Sequence, residues 1–476
     1  MKKTLIVGID GAEYAHITSH IDPWKLTFFK RMKQKGCFGK LESVIPPCSC
    51  PSWACFGTGK NPGKIGAFSF LDKKPKSYDM QLNHSVLNEL YCFWDILSDA
   101  GKKVILLNMP LYGKRHLING DFVAGDFLER PVCYPPELAN KLLLDKKPLY
   151  TFYAGKEKSN ERLINDCFIT LQNRLDVAQE LIQKDWDLFM VVLQLDTLEH
   201  FSWNHQENIQ KYLQIINEWL TKNTNDDMNV IIMGDHGHGE VNGIFVINNW
   251  LEQEGFLVFK KQQKKAGIIS KERISSIINK LGLMKLAIKL TPRKILNKVP
   301  SDILSFTQMR EIIDWEKTKA FACGDVSCGS VYINLKDREP NGSVTKKEYD
   351  SVVKDICKKL KKVKGMNGEE LEFDIHLSKD IYTGKFADSA PDIVFFINGM
   401  KYGSKFVYRK DKNIFVPSER QGDHKRTSIL LGLGPDVIQK EVKDARLLDL
   451  APTMLKYFKL PIDKEMDGKV LGIFKK

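Results

Sequence analysis

The sequence predicts an α/β fold built on a mostly parallel sheet, and three observations carry that prediction. Short, unbroken apolar runs recur at Thr4 to Val7, Lys103 to Leu107, Leu188 to Gln194, Val230 to Met233, Ile393 to Phe396 and Ser428 to Leu431. Segments of helical spacing separate them, as in Glu161 to Gln183, where Leu163, Cys167, Leu171, Leu175 and Ala178 share a face. Continuous apolar strands are buried on both faces, the condition of parallel strands covered by helices. Thirdly, acids follow the apolar runs: Asp10 after the first, Asp196 just beyond Gln194, Asp235 just beyond Met233. Ligands in such sheets bind beyond the carboxyl ends of the strands, so these acids fall where chemistry is expected.

The chain has 476 residues, 43% hydrophobic and 28% charged, which predicts a globular protein of one large domain with an insert, or two domains. Its ten cysteines contain no Cys-x-x-Cys pair, a pattern of reduced thiols rather than of a secreted disulfide scaffold. The first apolar run, Leu5-Ile6-Val7, stops at Gly8 and is too short for a signal core. No other stretch reaches spanning length without charges. The expected compartment is the cytoplasm.

Of the net charge of +13, +11 lies between residues 260 and 298, where twelve Lys and Arg face one acid, Glu272. The rest of the chain is nearly neutral, which argues for a local basic appendage and against specific nucleic-acid binding. The same stretch holds Ile274, Ile277, Ile278 and Leu281 at helical spacing, with Gly282 and Pro292 breaking any single long helix. The expected division is therefore 1–256 as the first part of a catalytic α/β core, 257–310 as a basic helical insert, and 311–476 as the second part. The insert reads as a lid over an anionic substrate. A helical hairpin packed on the body, or peripheral contact with an anionic membrane, are the other readings.

Four fragments offer acids and imidazoles of metal-ligand character: Asp10, Asp196 with His200, Asp235 with His236, and Asp423 with His424. Each alone is weak, since a buried Asp after a strand is often a helix cap. Together, beside a nucleophile, they point to a metal centre. Mixed carboxylate and imidazole donors suit ions of the zinc type better than magnesium or calcium. Two such ions about 4 Å apart clamp the attacking and leaving oxygens of an in-line displacement. The nucleophile candidate is Ser49, within Pro46-Pro47-Cys48-Ser49-Cys50-Pro51-Ser52-Trp53. Pro51 is tolerated in a first helical turn, which sets Ser49 at or beside the cap, facing the positive end of the helix. Plain capping by Ser49 is the simpler alternative. Cys48, Cys50 and Cys55 rank below it as nucleophiles, because a thiolate beside zinc becomes a permanent ligand.

These motifs carry a resemblance. Ile6-Val7-Gly8-Ile9-Asp10-Gly11, the block from Pro46 to Phe70 with Thr58-Gly59-Lys60-Asn61-Pro62-Gly63, and Asp196 to Trp203 match in order. Gly234-Asp235-His236-Gly237, Gly422-Asp423-His424 and the tail from Asp449 to Gly468 continue it. The chain resembles the alkaline phosphatase superfamily in its type I phosphodiesterase/nucleotide pyrophosphatase branch. The resemblance implies an alkaline-phosphatase-like three-layer sandwich with helices on both faces of the sheet. It implies one metal ion on Asp196, His200 and His424, and a second on Asp10, Asp235, His236 and the Ser49 oxygen. The implied reaction is hydrolysis of a phosphodiester or pyrophosphate, of nucleotide type or another, through a phospho-serine. Most nucleotide pyrophosphatases carry Thr where this chain has Ser49, and an Asn phosphate contact where it has Ser52, so Ser52 is the candidate substrate contact.

Ser49-Cys50-Pro51-Ser52 also resembles the start of a sulfatase signature, but Trp53 stands where that signature has Arg. Phosphomonoester hydrolysis or phospho-group transfer in the same superfamily, and a lipid-surface binding module, are the remaining alternatives. No Arg stands beside Ser49 in the sequence, which favours a diester over a monoester. His238 and Glu240 are read as neighbours of the ligands or as loop residues. His16, His20, His84, His116, His205 and His376 carry no partner pattern. Lys60 and Lys64 read as solvated.

Overall fold

The structure is a computed structural model and describes residues 1–83, 90–110, 118–124, 132–142, 148–149, 159–260 and 303–475. Most of the basic stretch at 260–298, and with it the expected lid, lies outside the described residues.

The main sheet has nine strands. Across it run Lys440–Arg446, Cys37–Glu42, Thr427–Leu433, Asn229–Met233, Thr4–Asp10, Leu188–Gln194, Val104–Met109, Gly120–Ala124 and Cys133–Tyr134. Thr4–Asp10 lies at the centre, parallel to both neighbours, with Asp10 opposite Gln194 and Gly8 opposite Met233. Parallel pairing sends the carboxyl ends of all three strands to one edge, and Asp10, Asp196 and Asp235 with them. Thr427–Leu433 and Cys133–Tyr134 run against their neighbours.

Alternate residues of the central strand feed two separate cores, which makes the sheet the middle of three layers. Leu5, Val7 and Ile9 pack with helices Asn160–Leu181 and Gln206–Asn223 on one face. Ile6, Met190 and Val192 pack on the other against helices Ser49–Thr58, Phe93–Asp99 and Leu450–Tyr457. Helix Ser49–Thr58 comes so close to the sheet that a Cβ on Gly8 would meet the Trp53 ring at 2.6 Å. The alkaline-phosphatase-like sandwich expected from the sequence is the fold observed.

A second sheet, drawn from strands between Gly243 and Val416, stands on its own core of Phe245, Trp250, Phe321, Ile333 and Phe395. Ile393–Ile397 belongs here, antiparallel to Gly329–Ile333 and Phe373–Leu377. An unbroken apolar run reports burial on both faces, which a buried antiparallel strand satisfies as well as a parallel one. A two-stranded ribbon, Gly237–Glu240 against Gly422–Lys425, pairs His238 with His424.

Gly11 turns the chain out of the central strand at φ +88°, and a Cβ there would lie 2.6 Å from Glu199 Oε2. Both backbone and space favour glycine. Gly11→Ala is expected to cost about 1–3 kcal/mol in denaturant unfolding. A variant as stable as the parent would show that this turn is not constrained.

Candidate active site

Ser49 is the first residue of a fully buried ten-residue helix whose cap is Cys48, in extended conformation. Its hydroxyl is turned across the site rather than used as a cap. Ser49 Oγ lies 3.1 Å from His236 Nε2 and 3.5 Å from each oxygen of Asp10. Ser52, one turn further on, is fully buried, with Oγ 3.1 Å from Ser43 Oγ. Ser43 in turn donates to the Asp235 carbonyl at 2.6 Å, so Ser52 backs the segment that carries Asp235 and His236.

The six other candidate residues fall into two buried groups. In each, the potential ligand atoms lie within 4.8 Å of one another: Asp196, His200 and His424 in one, Asp10, Asp235 and His236 in the other. The groups adjoin, with the His236 and His424 rings stacked at 4.0 Å between centroids. Asp196 starts helix Asp196–Ser202, and one helical turn carries the chain from it to His200. His424 arrives from the far end of the chain on the two-stranded ribbon.

One feature is common to the three imidazoles. His200 Nδ1 lies 2.9 Å from the Gly422 carbonyl, His236 Nδ1 3.0 Å from the Gly237 carbonyl, and His424 Nδ1 3.1 Å from the Pro47 carbonyl. A carbonyl only accepts, so each Nδ1 carries the proton and each Nε2 presents a lone pair. This is how proteins orient histidine ligands. Neither oxygen of the fully buried Asp235 makes a hydrogen bond among the described residues, with His236 Nε2 3.5 Å from one of them. Aimed lone pairs beside undersatisfied buried carboxylates are a donor set that fits divalent cations of the zinc type.

The electrostatics agree. Burial, then the charges of Asp196 and Asp235, push the Asp10 carboxyl well above its ordinary range. Burial raises Asp196, and burial with the Asp196 charge raises Asp235 to about 8. Burial also drives His200 far below the usual imidazole value and His424 down to about 3. Cations in the site would reverse the carboxylate shifts and suit neutral imidazoles.

Three further features surround the site, and of their residues the sequence reading had singled out His238, as a neighbour of the ligands or a loop residue. Arg174 is buried on the helix behind the sheet and donates to the Leu149 carbonyl at 2.5 Å and the Val192 carbonyl at 2.8 Å. Its Nη2 lies 3.4 Å from Gln194 Oε1, Gln194 donates to Thr197 Oγ1 at 2.7 Å, and Thr197 N donates to Asp196 Oδ1 at 2.6 Å. The signal was there: Arg174 interrupts the apolar stripe of Leu171, Leu175 and Ala178. Glu199 and His238 are both buried beneath the first group, with Oε2 3.7 Å from Nδ1. Arg420, half-exposed at the rim, lies 3.5 Å from Asp423 Oδ1. Lys60 and Lys64, read as solvated, pair with Asp463 and Asp467 of the tail.

A helix-start hydroxyl facing acid and imidazole groups at the carboxyl edge of a parallel sheet is equipment for hydrolysing esters and anhydrides. Comparison with known proteins makes the class specific. The family described as Type I phosphodiesterase / nucleotide pyrophosphatase matches residues 4–425, and the chain belongs to it. It is a hydrolase of that family. Among solved structures, the murine ectonucleotide pyrophosphatase / phosphodiesterase 5 is similar at 11% identity and TM-score 0.50, covering 97% of this chain and 96% of that one. An inactive form of the murine protein in complex with AMP gives 11% identity and TM-score 0.51 over the same shares, 97% and 96%. The human counterpart gives 11% and 0.51 over 99% of this chain and 100% of that one. At such identities the likeness is one of fold. No curated protein matches the chain.

The pKa shifts set a stability test for the metal-free protein. Above pH about 7.5 unfolded imidazoles have lost nearly all their protons, and the buried His200 and His424 are neutral in the folded chain as well. From there to pH 8.5 the unfolded carboxylates are charged, while folded Asp235, at about 8, still holds protons. The folded state then binds more protons, so stability falls as pH rises. Chelator-treated protein is expected to melt lower at pH 8.5 than at pH 7.5, with zinc reversing the trend. A melting temperature that rises with pH in chelator would contradict the site electrostatics.

Proposed function

We propose that this hydrolase cleaves phosphodiester or pyrophosphate bonds through a covalent phospho-Ser49, with two divalent ions of the zinc type held by Asp196, His200 and His424 and by Asp10, Asp235 and His236. The observation that carries the reading is the set of three carbonyl-tied imidazoles grouped with the buried carboxylates, His236 Nε2 lying 3.1 Å from Ser49 Oγ. The complex of the murine neighbour with AMP supports a substrate of nucleotide type.

Bound ions would acidify the serine hydroxyl and neutralise charge on the leaving oxygen. The chain's own part is positional. The positive end of helix Ser49–Thr58 faces the phosphate. Ser49 Oγ forms the new bond to phosphorus as the bond to the leaving oxygen breaks, and that oxygen departs with the electron pair. Water then cleaves the Oγ–P bond, releases the phosphorylated product and restores the hydroxyl. Arg174, through Gln194 and Thr197, fixes the rotamer of Asp196 across both steps. The ten cysteines are all free thiols, which supports a reducing compartment such as the cytoplasm. Full activity in millimolar glutathione checks this, and inactivation there would count against it.

Ser49→Ala is expected to lower turnover of bis-p-nitrophenyl phosphate by about a thousandfold or more while metal content stays near two ions per chain. His424→Ala should remove activity together with one ion. Near-normal rates in Ser49→Ala, label from a trapped phosphoryl group on another residue, or active protein free of transition metal would each sink the mechanism.

A further inference from the structure

The acids of the two candidate ligand groups are held in different ways. Asp196 Oδ1 accepts from Thr197 N at 2.6 Å, so a hydrogen bond reaches its carboxylate directly. The Asp235 carboxylate has no such donor among the described residues, and its place is set by its backbone. That backbone has just left the sheet, since the strand ends at Met233 and the Gly234 and Asp235 carbonyls lie beyond it. Two buried hydroxyls take the place of the ladder. Ser428 Oγ donates to the Gly234 carbonyl at 2.7 Å, closer than its other contact, the Leu41 carbonyl at 3.1 Å. Ser43 Oγ donates to the Asp235 carbonyl at 2.6 Å. A buried carbonyl without a donor is unfavourable, so these two successive peptide units depend on the serines. Both serines come from the adjoining strands of the main sheet. Ser428 stands opposite Leu41, and Ser43 N donates to the Arg426 carbonyl at 2.9 Å.

A serine has one proton, and that gives the Ser43 contacts a direction. The Asp235 carbonyl only accepts, so the Ser43 proton points at it. The 3.1 Å contact between Ser43 Oγ and Ser52 Oγ is then a bond donated by Ser52. Protons therefore run from Ser52 to Ser43 to the Asp235 carbonyl, through side chains that are all buried. Ser52 lies on the helix that begins with Ser49, and His236 Nε2, one residue beyond Asp235, is 3.1 Å from Ser49 Oγ. The relay joins the helix of the attacking oxygen to the segment that faces it. With its proton directed at Ser43, Ser52 has none for a phosphate oxygen, the contact expected of it from the sequence.

We infer that Ser43 and Ser428 are positioning residues for the ion of the Asp10, Asp235 and His236 group, and that Ser52 acts through Ser43 rather than on the substrate. The assignment rests on the proposed two-ion site and separates its halves: the other group has its own support in Arg174, Gln194 and Thr197.

Zinc affinity, read for each group by competition with a chromophoric chelator, tests it. His424→Ala disables one group and His236→Ala the other, so each full-length variant keeps one site. On the His424→Ala background, Ser43→Ala is expected to weaken zinc about tenfold or more, the usual effect of losing a group that orients a ligand. Ser428→Ala, a second probe of the same kind, should do likewise, whereas Ser43→Thr keeps the donor and should retain the affinity. Ser52→Ala should weaken zinc less than Ser43→Ala, and adding it to Ser43→Ala should change nothing further, because the relay is already cut. On the His236→Ala background, Ser43→Ala should leave zinc affinity unchanged. Thermal unfolding in chelator shows that each variant is folded. Unchanged affinity on the first background, equal weakening on both, or additive effects of Ser43→Ala and Ser52→Ala would each overturn the assignment while the two-ion reading stands. A parent protein that binds no zinc would overturn both.

Discussion

Parallel pairing at the centre of the main sheet is the constraint from which the site follows. Thr4–Asp10 is bonded on both sides to strands of its own direction, and adjacent strands lie about 4.8 Å apart. Three acids that end or follow those strands must therefore meet at one edge, out of water and with the same charge. Left alone, such a cluster is unfavourable, and the raised carboxyl pKa values express that cost. Protons or cations are the two remedies, and the surrounding imidazoles, held neutral by burial, leave room for the second. The serine, the helix dipole and the buried arginine behind Asp196 are arranged around a charge problem that the sheet creates.

The histidines show how backbone structure supplies chemistry. Each is oriented by a carbonyl from a different part of the chain: Gly422 for His200, Gly237 for His236, Pro47 for His424. The Pro47 contact ties the ribbon to the approach of the nucleophile helix, so Ser49 and His424 are set by one joint. Along the chain the ribbon links the two sheets: Gly237–Glu240 leads into Gly243–Val246 of the smaller one, and Gly422–Lys425 into Thr427–Leu433 of the main one.

The legible part of this protein was whatever local pattern controls. Leu188–Gln194 was readable to the residue because a strand buried on both faces leaves no polar position to blur its ends. The candidate ligand acids stood out because they sit within two residues of such strands. The direction of Ser428 to Leu431 and the sheet to which Ile393 to Phe396 belongs were not, since apolar content reports burial and is silent about pairing partners. The resemblance supplied the ligand sets, which spacing alone could not, because His424 lies 188 positions after His236. Arg174 was hidden by its neighbours: within an apolar helix stripe a charge reads as a surface residue until the strand behind it is known. Arg420 and Glu199 were hidden by distance, their partners being supplied by topology.

The antiparallel strand Thr427–Leu433 has a consequence for how the protein is made. It is the wedge between Cys37–Glu42 and Asn229–Met233, and it begins 194 positions after the second of them ends. During synthesis those two strands emerge well before the strand that joins them. The sheet closes only once that strand has emerged, and His424 is delivered by the same stretch of chain. A polypeptide that stops before Gly422–Lys425 and this strand carries Ser49 and five of the six candidate ligand residues, but neither a sealed sheet nor His424.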